Sequence, residues 1–217
     1  MVAGRVVLVT GGGSGIGESI ALGLGDAGAT VAVTDGPIGS RADAGRVFAE
    51  GTATVGALDA VVHALVDPNA LVAAPLVDTD PPSWDARCEA VLRTALWCFQ
   101  AAHDALRPRG GRIVVVTPTV GLTGGAHLVP YATAVEGMRA LAKTAARQWG
   151  GQQIAVNCVA PPVELVGTAR GPDVAVPAFG RFPDARTDVA PVVAMLVGDA
   201  FVTGTTVVVD GGTLMTP

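Results

Sequence analysis

The chain has 217 residues, of which 50% are hydrophobic and 15% are charged, and its formal net charge is −5. This length suits one domain with a sizeable core, and the composition excludes a disordered chain. The negative charge and the scattered Lys and Arg residues exclude a nucleic-acid-binding face, and no apolar run reaches the roughly 18 residues of a membrane span.

The N-terminal segment and the cysteines indicate the cellular compartment of the protein. MVAGRVVLVT has too short an apolar run, and no cleavage site, for a signal peptide. Cys88, Cys98 and Cys158 lie in apolar stretches without His or Asp at ligand spacing. This pattern predicts buried free thiols and no metal site. We therefore expect a cytoplasmic protein.

Six short Val-rich segments predict the strands of a parallel sheet. Each is a continuous apolar run, which is typical of strands buried on both faces. The predicted strands are residues 5–10, 30–35, 58–66, 111–118, 153–161 and 205–212. Helical patterns alternate with them, so the sequence predicts one α/β domain over residues 1–217, with helices on both faces of the sheet.

Between the strands, apolar residues recur at helical spacing. Ser83 is placed to cap one of the predicted helices, because Pro81 and Pro82 precede it and exclude an earlier start. The main predicted helices span residues 84–106, 131–149 and 187–198.

A glycine cluster, TGGGSGIG at residues 10–17, lies between the first predicted strand and a helix that starts near Ile16. Glycines there permit a tight turn and a close approach of ligand and strand to the backbone, and the helix start offers unpaired N–H groups to a diphosphate. Asp35 ends the next strand, where a carboxylate would bond a ribose 2′-hydroxyl and repel a 2′-phosphate. The pattern predicts a dinucleotide site that prefers NAD, with Gly11, Ser14, Gly15, Ile16, Gly17 and Asp35 as candidate residues.

The glycine cluster resembles the TGxxxGxG fingerprint of the short-chain dehydrogenase/reductases. Segments that resemble the family's fourth, fifth, sixth and closing strands follow along nearly the whole chain, as LDAVVHA, GRIVVV, VNCVAP and VVVDGG. The resemblance implies a single Rossmann-like doubly wound domain, a nicotinamide cofactor and homo-oligomers. It also implies hydride transfer to or from a carbonyl or alcohol carbon, with an Asn, Ser, Tyr and Lys tetrad.

The resemblance breaks between Asp35 and Asp59, where 23 residues replace the family's helix, strand and helix. Residues 41–50 can form one short helix, but no crossover follows that would allow a further parallel strand. We expect the family's third strand to be missing, so that the order 3-2-1-4-5-6-7 becomes 2-1-4-5-6-7. A right-handed crossover then puts helix 41–50 on the face opposite the first helix, and the adenine pocket loses a wall.

The tetrad that the resemblance implies is mostly replaced. Only its tyrosine is kept, as Tyr131, while Pro118 stands at the serine position, Val135 at the lysine position and Val91 at the asparagine position. A free phenol has a pKa near 10 and needs a neighbouring cation to become a useful acid or base at neutral pH. Arg139 lies two turns further along the same helix face, roughly 12 Å away by helical rise, and is a poor substitute.

Other residues near the predicted site leave alternatives open. Thr117 and Thr119 flank Pro118 and could supply a hydroxyl, although strand alternation turns both away from that position. His63 ends the strand 58–66 and could be a new acid or base. Packing is the simpler interpretation of the threonines, and a hydrogen-bonded structural role is the simpler interpretation of the histidine.

Two cofactor-contact motifs of the family are also altered. Its Asn-Asn-Ala-Gly motif is similar in position to HALV at residues 63–66, so two bulky apolar side chains stand where the backbone approaches the ribose. Its Pro-Gly-x-x-x-Thr motif reads PPVELV at residues 161–166, with Val166 at the threonine position and Thr168 nearby. NAD binding is therefore expected to be weak or absent.

Helices 84–106 and 131–149 form the predicted assembly surface. A helix that is apolar on more than one side is buried on more than one side. The residues concerned are Leu92 and Leu96 on the first helix and the small residues Ala134, Gly137 and Ala145 on the second. We expect a homodimer or tetramer through these helices.

Two functions remain open. One is an NAD-preferring oxidoreductase that uses Tyr131. The other is a degenerate relative, catalytically impaired or non-catalytic, that binds nucleotide or assembles with an active relative. The loss of three tetrad residues favours the second. A small-molecule substrate is expected only in the first case, and residues 162–186, rich in Gly, Pro and Ala, leave its identity open.

Overall fold

A computed structural model describes residues 1–167 and 176–215 of the chain. Its strands are β1 Val6–Thr10, β2 Thr30–Thr34, β3 Ala60–His63, β4 Gly111–Val116, β5 Ile154–Ala160 and β6 Thr206–Val208. Its α-helices are α1 Gly15–Asp26, α2 Arg41–Val55, α3 Pro81–Trp84, α4 Ala90–Leu106, α5 Val120–Thr123, α6 Val129–Trp149 and α7 Ala190–Val197. Each observed strand lies within the segment that the sequence predicts for it.

The six strands form one parallel sheet in the order β2-β1-β3-β4-β5-β6. This order confirms the predicted Rossmann-like arrangement without the family's third strand. Residues 52–55, which lie where the family's third strand would be sought, complete helix α2 instead of forming a strand. Strand β2 is therefore an edge strand, and Val33 on it is half exposed.

Successive side chains of each strand point to opposite faces of the sheet, so they pack into two separate apolar cores. Val7 and Val9 of β1 pack with α1 and α7 on one face, whereas Leu8 packs with α2, α4 and α6 on the other. Helix α2 thus lies on the face opposite α1, as the right-handed crossover predicts.

The helix predicted to start after Ser83 begins earlier. Helix α3 starts at Pro81, and the side chain of Asp80 accepts the N–H of Ser83 at 2.8 Å, so Asp80 is the capping residue and Ser83 is not. The two prolines are tolerated because the first turn of a helix needs no N–H partner. A π-helical turn, Asp85–Glu89, joins α3 to α4.

The long helices α4 and α6 pack against each other in the same chain. A Cβ atom on Gly137 would lie 2.6 Å from Cδ2 of Leu92, so this glycine allows the close approach. The small residues predicted for an interface between copies thus serve contacts within the chain, and Leu96 remains 39% exposed. In the described ranges no helix combines the length and apolar character that crossing a membrane requires.

Candidate active site

A cleft of about 270 Å³ lies at the carboxyl end of β1, where the glycine loop turns into α1. The predicted cofactor residues Gly11, Ser14, Gly15, Ile16 and Asp35 all line it. Gly17 does not line the cleft, because it packs against the loop: a Cβ atom there would lie 1.9 Å from the carbonyl oxygen of Gly11. Five of the six predicted residues are therefore brought together, and the sixth supports them.

The glycine loop presents unpaired backbone N–H groups to the cleft. The first helical hydrogen bond of α1 runs from the N–H of Glu18 to the carbonyl of Ser14, so residues 15–17 have no intrahelical acceptor. The Ser14 side chain makes no capping bond, and a Cβ atom on Gly15 would meet nothing within 4 Å. These features fit a diphosphate group, which takes N–H donors and needs open space beside the backbone.

The opposite wall of the cleft is apolar and acidic. Leu65 and Val66 line it together with Val166 and Glu164, so the bulky residues expected to narrow the ribose side do reach the cleft. Thr168, the nearby alternative to Val166, lies outside the described residues. This wall presents fewer hydrogen-bonding groups to a nicotinamide than the glycine loop presents to a diphosphate.

Tyr131 is only 3% exposed and lines a separate cavity of about 70 Å³. The cavity lies at the carboxyl ends of β3 and β4, where α4 and α6 meet the sheet, and the other lining residues are His63, Leu65, Asp67, Ala90, Val91, Thr94, Val116 and Met138. Leu65 lines both this cavity and the nucleotide cleft, so the two spaces share this residue as a border. Burial raises the pKa of the Tyr131 phenol well above its ordinary value.

The residues at the other tetrad positions supply no polar group to Tyr131. Pro118 and Val135 are buried in packing, and Val91 contributes an apolar wall of the cavity. Arg139 is buried and pairs with Glu136 at 3.0 Å, so it does not replace the lysine. No residue in the described part of the chain hydrogen-bonds to the Tyr131 hydroxyl.

His63 makes a hydrogen bond, as its simpler interpretation expected, but the sequence did not predict the partner. Strand register places it directly opposite Thr10, and its Nδ1 lies 2.9 Å from Oγ1 of Thr10. Burial lowers the pKa of His63 to about 4, so the ring is neutral at neutral pH. The pairing of β1 and β3 was predictable from the expected strand order, but the residue opposite His63 depends on register.

A third space, a recess of about 230 Å³, lies between the loop after β4 and the segments around Pro162 and Asp210. Thr119 and Glu164 line it and Tyr131 does not, whereas Thr117 is fully buried. Neither threonine hydroxyl therefore reaches the cavity of Tyr131.

The three cysteines are free and buried, as predicted. Burial raises the pKa of the Cys98 thiol to about 12 and that of the Cys158 thiol to about 11, so neither is a reactive thiolate at neutral pH. Within residues 1–167 and 176–215, no three His, Cys, Asp or Glu side chains group as metal ligands.

Comparison with known proteins assigns the chain to one family. The family model described as enoyl-(acyl carrier protein) reductase matches residues 36–214. The chain is 31% identical to a short-chain type dehydrogenase/reductase of Bradyrhizobium diazoefficiens, over 97% of this chain and 88% of the relative. It is also 31% identical to a 3-oxoacyl-[acyl-carrier-protein] reductase of Staphylococcus aureus, over 97% of this chain and 98% of the relative.

Solved structures agree with the sequence relatives. A short-chain type dehydrogenase/reductase from Mycobacterium ulcerans superposes with a TM-score of 0.86 at 25% identity, over 97% of this chain and 90% of that one. The chain belongs to the short-chain dehydrogenase/reductase family of oxidoreductases. The alignment with the S. aureus reductase spans 249 positions although this chain has 217 residues, so at least 32 positions are gaps in this chain. A shortened chain is what the missing strand requires.

Proposed function

We propose that this protein is an NAD-preferring oxidoreductase that interconverts a carbonyl and an alcohol group, with slow proton transfer. The observation that carries the proposal is the glycine-loop cleft, whose unpaired N–H groups and open space beside Gly15 fit a dinucleotide diphosphate. A bound nicotinamide supplies the hydride chemistry. The relatives named as reductases support this class over a purely structural role.

Asp35 carries the preference for NAD. Its carboxylate lies beside the loop, where a Cβ atom on Gly13 would be 2.6 Å from Oδ2. At the end of β2 it can accept a hydrogen bond from a ribose 2′-hydroxyl, and it repels a 2′-phosphate. Among the described residues that line the cleft there is Glu164 but no Lys or Arg, so none of them compensates the charge of a 2′-phosphate.

Tyr131 is the proton donor in this proposal, acting at its phenolic oxygen. Its raised pKa makes the hydroxyl a weak acid, and Val135 provides no cation to lower that pKa. General acid–base catalysis contributes about 10²- to 10⁴-fold when the donor is tuned to the working pH. We expect turnover slower by about that factor than in a relative that has the full tetrad.

A second candidate is a non-catalytic protein that binds nucleotide or assembles with an active relative. The specific observation in its favour is that apolar residues occupy the three other tetrad positions, Pro118, Val135 and Val91. A nucleotide-binding form of this candidate differs from the proposed enzyme in turnover and not in NAD binding, whereas an assembly partner needs neither.

One pair of measurements tests the proposal. Calorimetric titration with NADH and NADPH measures binding, and stopped-flow mixing of the NADH complex with excess small ketone measures a single hydride transfer. We expect NADH to bind more tightly than NADPH, and a slow transfer that Tyr131→Phe reduces further while Phe99→Leu does not. Binding without any transfer favours the non-catalytic candidate. No binding of either nucleotide contradicts the proposed function and leaves only assembly with an active relative.

We also propose a dimer through α4 and α6. Leu96 is 39% exposed in the middle of α4, and Trp97 beside it is only partly buried. Light scattering at micromolar concentration is expected to give twice the chain mass, and Leu96→Asp to give the chain mass. Leu76→Asp, at another exposed leucine, is the control. A monomeric wild-type protein contradicts the proposal.

A further inference from the structure

We propose that Tyr131 and His63 together bind the oxygen of a small, neutral carbonyl compound inside the 70 Å³ cavity that both line. The proposal deepens the proposed function, on which it rests, because it makes His63 a substrate-contacting residue. His63 then supplies the second hydrogen bond that the serine position, occupied by Pro118, does not.

The hydrogen bond to Thr10 determines which nitrogen of His63 carries the proton. Thr10 is 1% exposed, and within the described residues its hydroxyl meets no acceptor other than Nδ1 of His63. A buried hydroxyl hydrogen without an acceptor is costly, so Thr10 donates to Nδ1. The neutral ring therefore carries its hydrogen on Nε2. His63 lines the cavity and Thr10 does not, so we take the Nε2 edge, opposite the bond to Thr10, as the edge that faces the cavity.

Two hydrogen-bond donors thus border the cavity without an acceptor. Neither the Tyr131 hydroxyl nor Nε2 of His63 bonds to a residue in the described ranges, and neither atom is sealed from water-sized space. Both residues are 3% exposed, so only a water molecule or a ligand inside the cavity can accept from these donors. An oxygen atom that accepts from both resolves this, and a carbonyl oxygen has two lone pairs for the purpose.

The rest of the lining limits the size and charge of the ligand. The walls around the two donors are apolar, from Leu65, Val91, Val116 and Met138. The described residues that line the cavity include no cation, and Asp67 is the one charged residue among them, so a carboxylate ligand is disfavoured. A dry cavity of about 150 Å³ holds benzene, so this one takes roughly three or four heavy atoms. Acetone, with one acceptor oxygen and two methyl groups, matches these limits.

The test uses the fact that Tyr131 is the only tyrosine of the chain. Protein labelled with ¹³C at the tyrosine Cζ gives one resonance, which reports directly on this phenol. We expect acetone to shift the resonance saturably, and isobutene, which has the same shape without an acceptor, to leave the resonance near its free position. His63→Leu is expected to weaken acetone binding roughly fivefold, which corresponds to the net free energy of one hydrogen bond. Thr10→Val, which keeps the ring but frees its tautomer, is expected to weaken it less.

The matched control is His103→Gln, because His103 lies far from the cavity and contacts Gln152 and Trp149. It is expected to bind acetone as the wild-type protein does. If acetone and isobutene shift the resonance alike, or if His63→Leu binds acetone unchanged, the proposal is wrong. The comparison of the two ligands needs no variant, so it stands even if a substitution impairs folding. NADH binding is measured separately, so failure here does not imply failure of the proposed function.

Discussion

The two halves of the site differ in what the protein uses to build them. At the glycine loop, backbone N–H groups and glycines do the binding, and the family's pattern is intact from Gly11 to Gly17. Around Tyr131, the family relies on side chains, and here Pro118 and Val135 have replaced them. Binding through the backbone tolerates many side-chain changes, whereas proton transfer depends on the identity of each side chain.

The deletion between β2 and β3 affects the two halves unequally. It makes β2 an edge strand, yet it leaves the glycine loop packed, because Gly11 lies close to the backbone of Leu65, which follows β3. The same Leu65 lines both the cleft and the cavity of Tyr131. One residue thus borders both halves of the site.

The packing of the glycine loop gives the largest predicted effect. A methyl group on Gly17 would lie 1.9 Å from the carbonyl oxygen of Gly11, and backbone cannot move aside cheaply. We expect Gly17→Ala to lower the free energy of unfolding by about 3 kcal/mol or more, measured by urea denaturation. Gly25→Ala, in the same helix with no atom within 4 Å, is expected to be neutral or to stabilise by up to about 1 kcal/mol. Equal effects of the two would show that the loop is loosely packed.

The pH dependence of the free energy of unfolding tests the burial of His63 in the cavity of Tyr131. The pKa of His63 is lowered from 6.5 to about 4 in the folded chain. Between these values the unfolded chain binds a proton that the folded chain does not, so the free energy of unfolding falls as pH falls through this window. The loss amounts to about 3 kcal/mol at the acid end.

The variant His63→Gln is expected to remove this part of the pH dependence, as measured by urea unfolding at a series of pH values between 6.5 and 4. His103→Gln leaves His63 intact and is expected to keep the wild-type slope. Carboxylates such as Asp188, whose pKa is lowered to about 2 chiefly by the hydrogen bond from Arg181, contribute equally to all three proteins. A slope that survives in His63→Gln would mean that water hydrates the ring.

The choice between NAD and NADP probes the nucleotide half alone. Asp35 is exposed at the edge of the sheet, so solvent weakens its repulsion of a 2′-phosphate. We expect Asp35→Ala to shift the ratio of NADH to NADPH affinity by about tenfold towards NADPH, measured by calorimetry. Asp26→Ala removes a carboxylate that pairs with Arg186 at the other end of α1 and is expected to leave the ratio unchanged. An unchanged ratio in Asp35→Ala would show that this carboxylate does not contact the ribose.

The strand order followed from the resemblance to the family, the missing strand from the 23 residues between Asp35 and Asp59, and the face of α2 from the right-handed crossover. The start of α3 could not be predicted from the sequence, since Ser83 and Asp80 are both good capping residues and only the backbone conformation decides between them. The partner of Gly137 was also missed: Leu92 fills the space beside it within the chain. Small residues indicate close helix packing, but they do not indicate whether the packed helix belongs to the same chain or to a second copy.

The candidate site divides in the same way. Residues of the glycine loop are contiguous in sequence, so their grouping in one cleft was predictable. The cavity that joins Tyr131 to His63 draws on four separate segments, and the hydrogen bond between His63 and Thr10 depends on register across two strands. Nothing in the spacing of these residues indicates that they meet.

The smallest predicted effect concerns the hydroxyl of Tyr131 and asks whether it serves folding or binding. Within the described part of the chain it has no hydrogen-bond partner, so Tyr131→Phe is expected to change the free energy of unfolding by less than about 0.5 kcal/mol. Asn157→Ala is the contrast: this buried amide donates to the carbonyl of Val202 at 2.9 Å and accepts from the N–H of Thr205 at 3.2 Å, so its loss is expected to cost about 2 kcal/mol or more. Both values come from urea denaturation at neutral pH. A neutral Tyr131→Phe that also loses carbonyl binding and hydride transfer assigns the hydroxyl to the ligand, whereas a loss of 1 to 2 kcal/mol, by rough estimate, would assign it to the core.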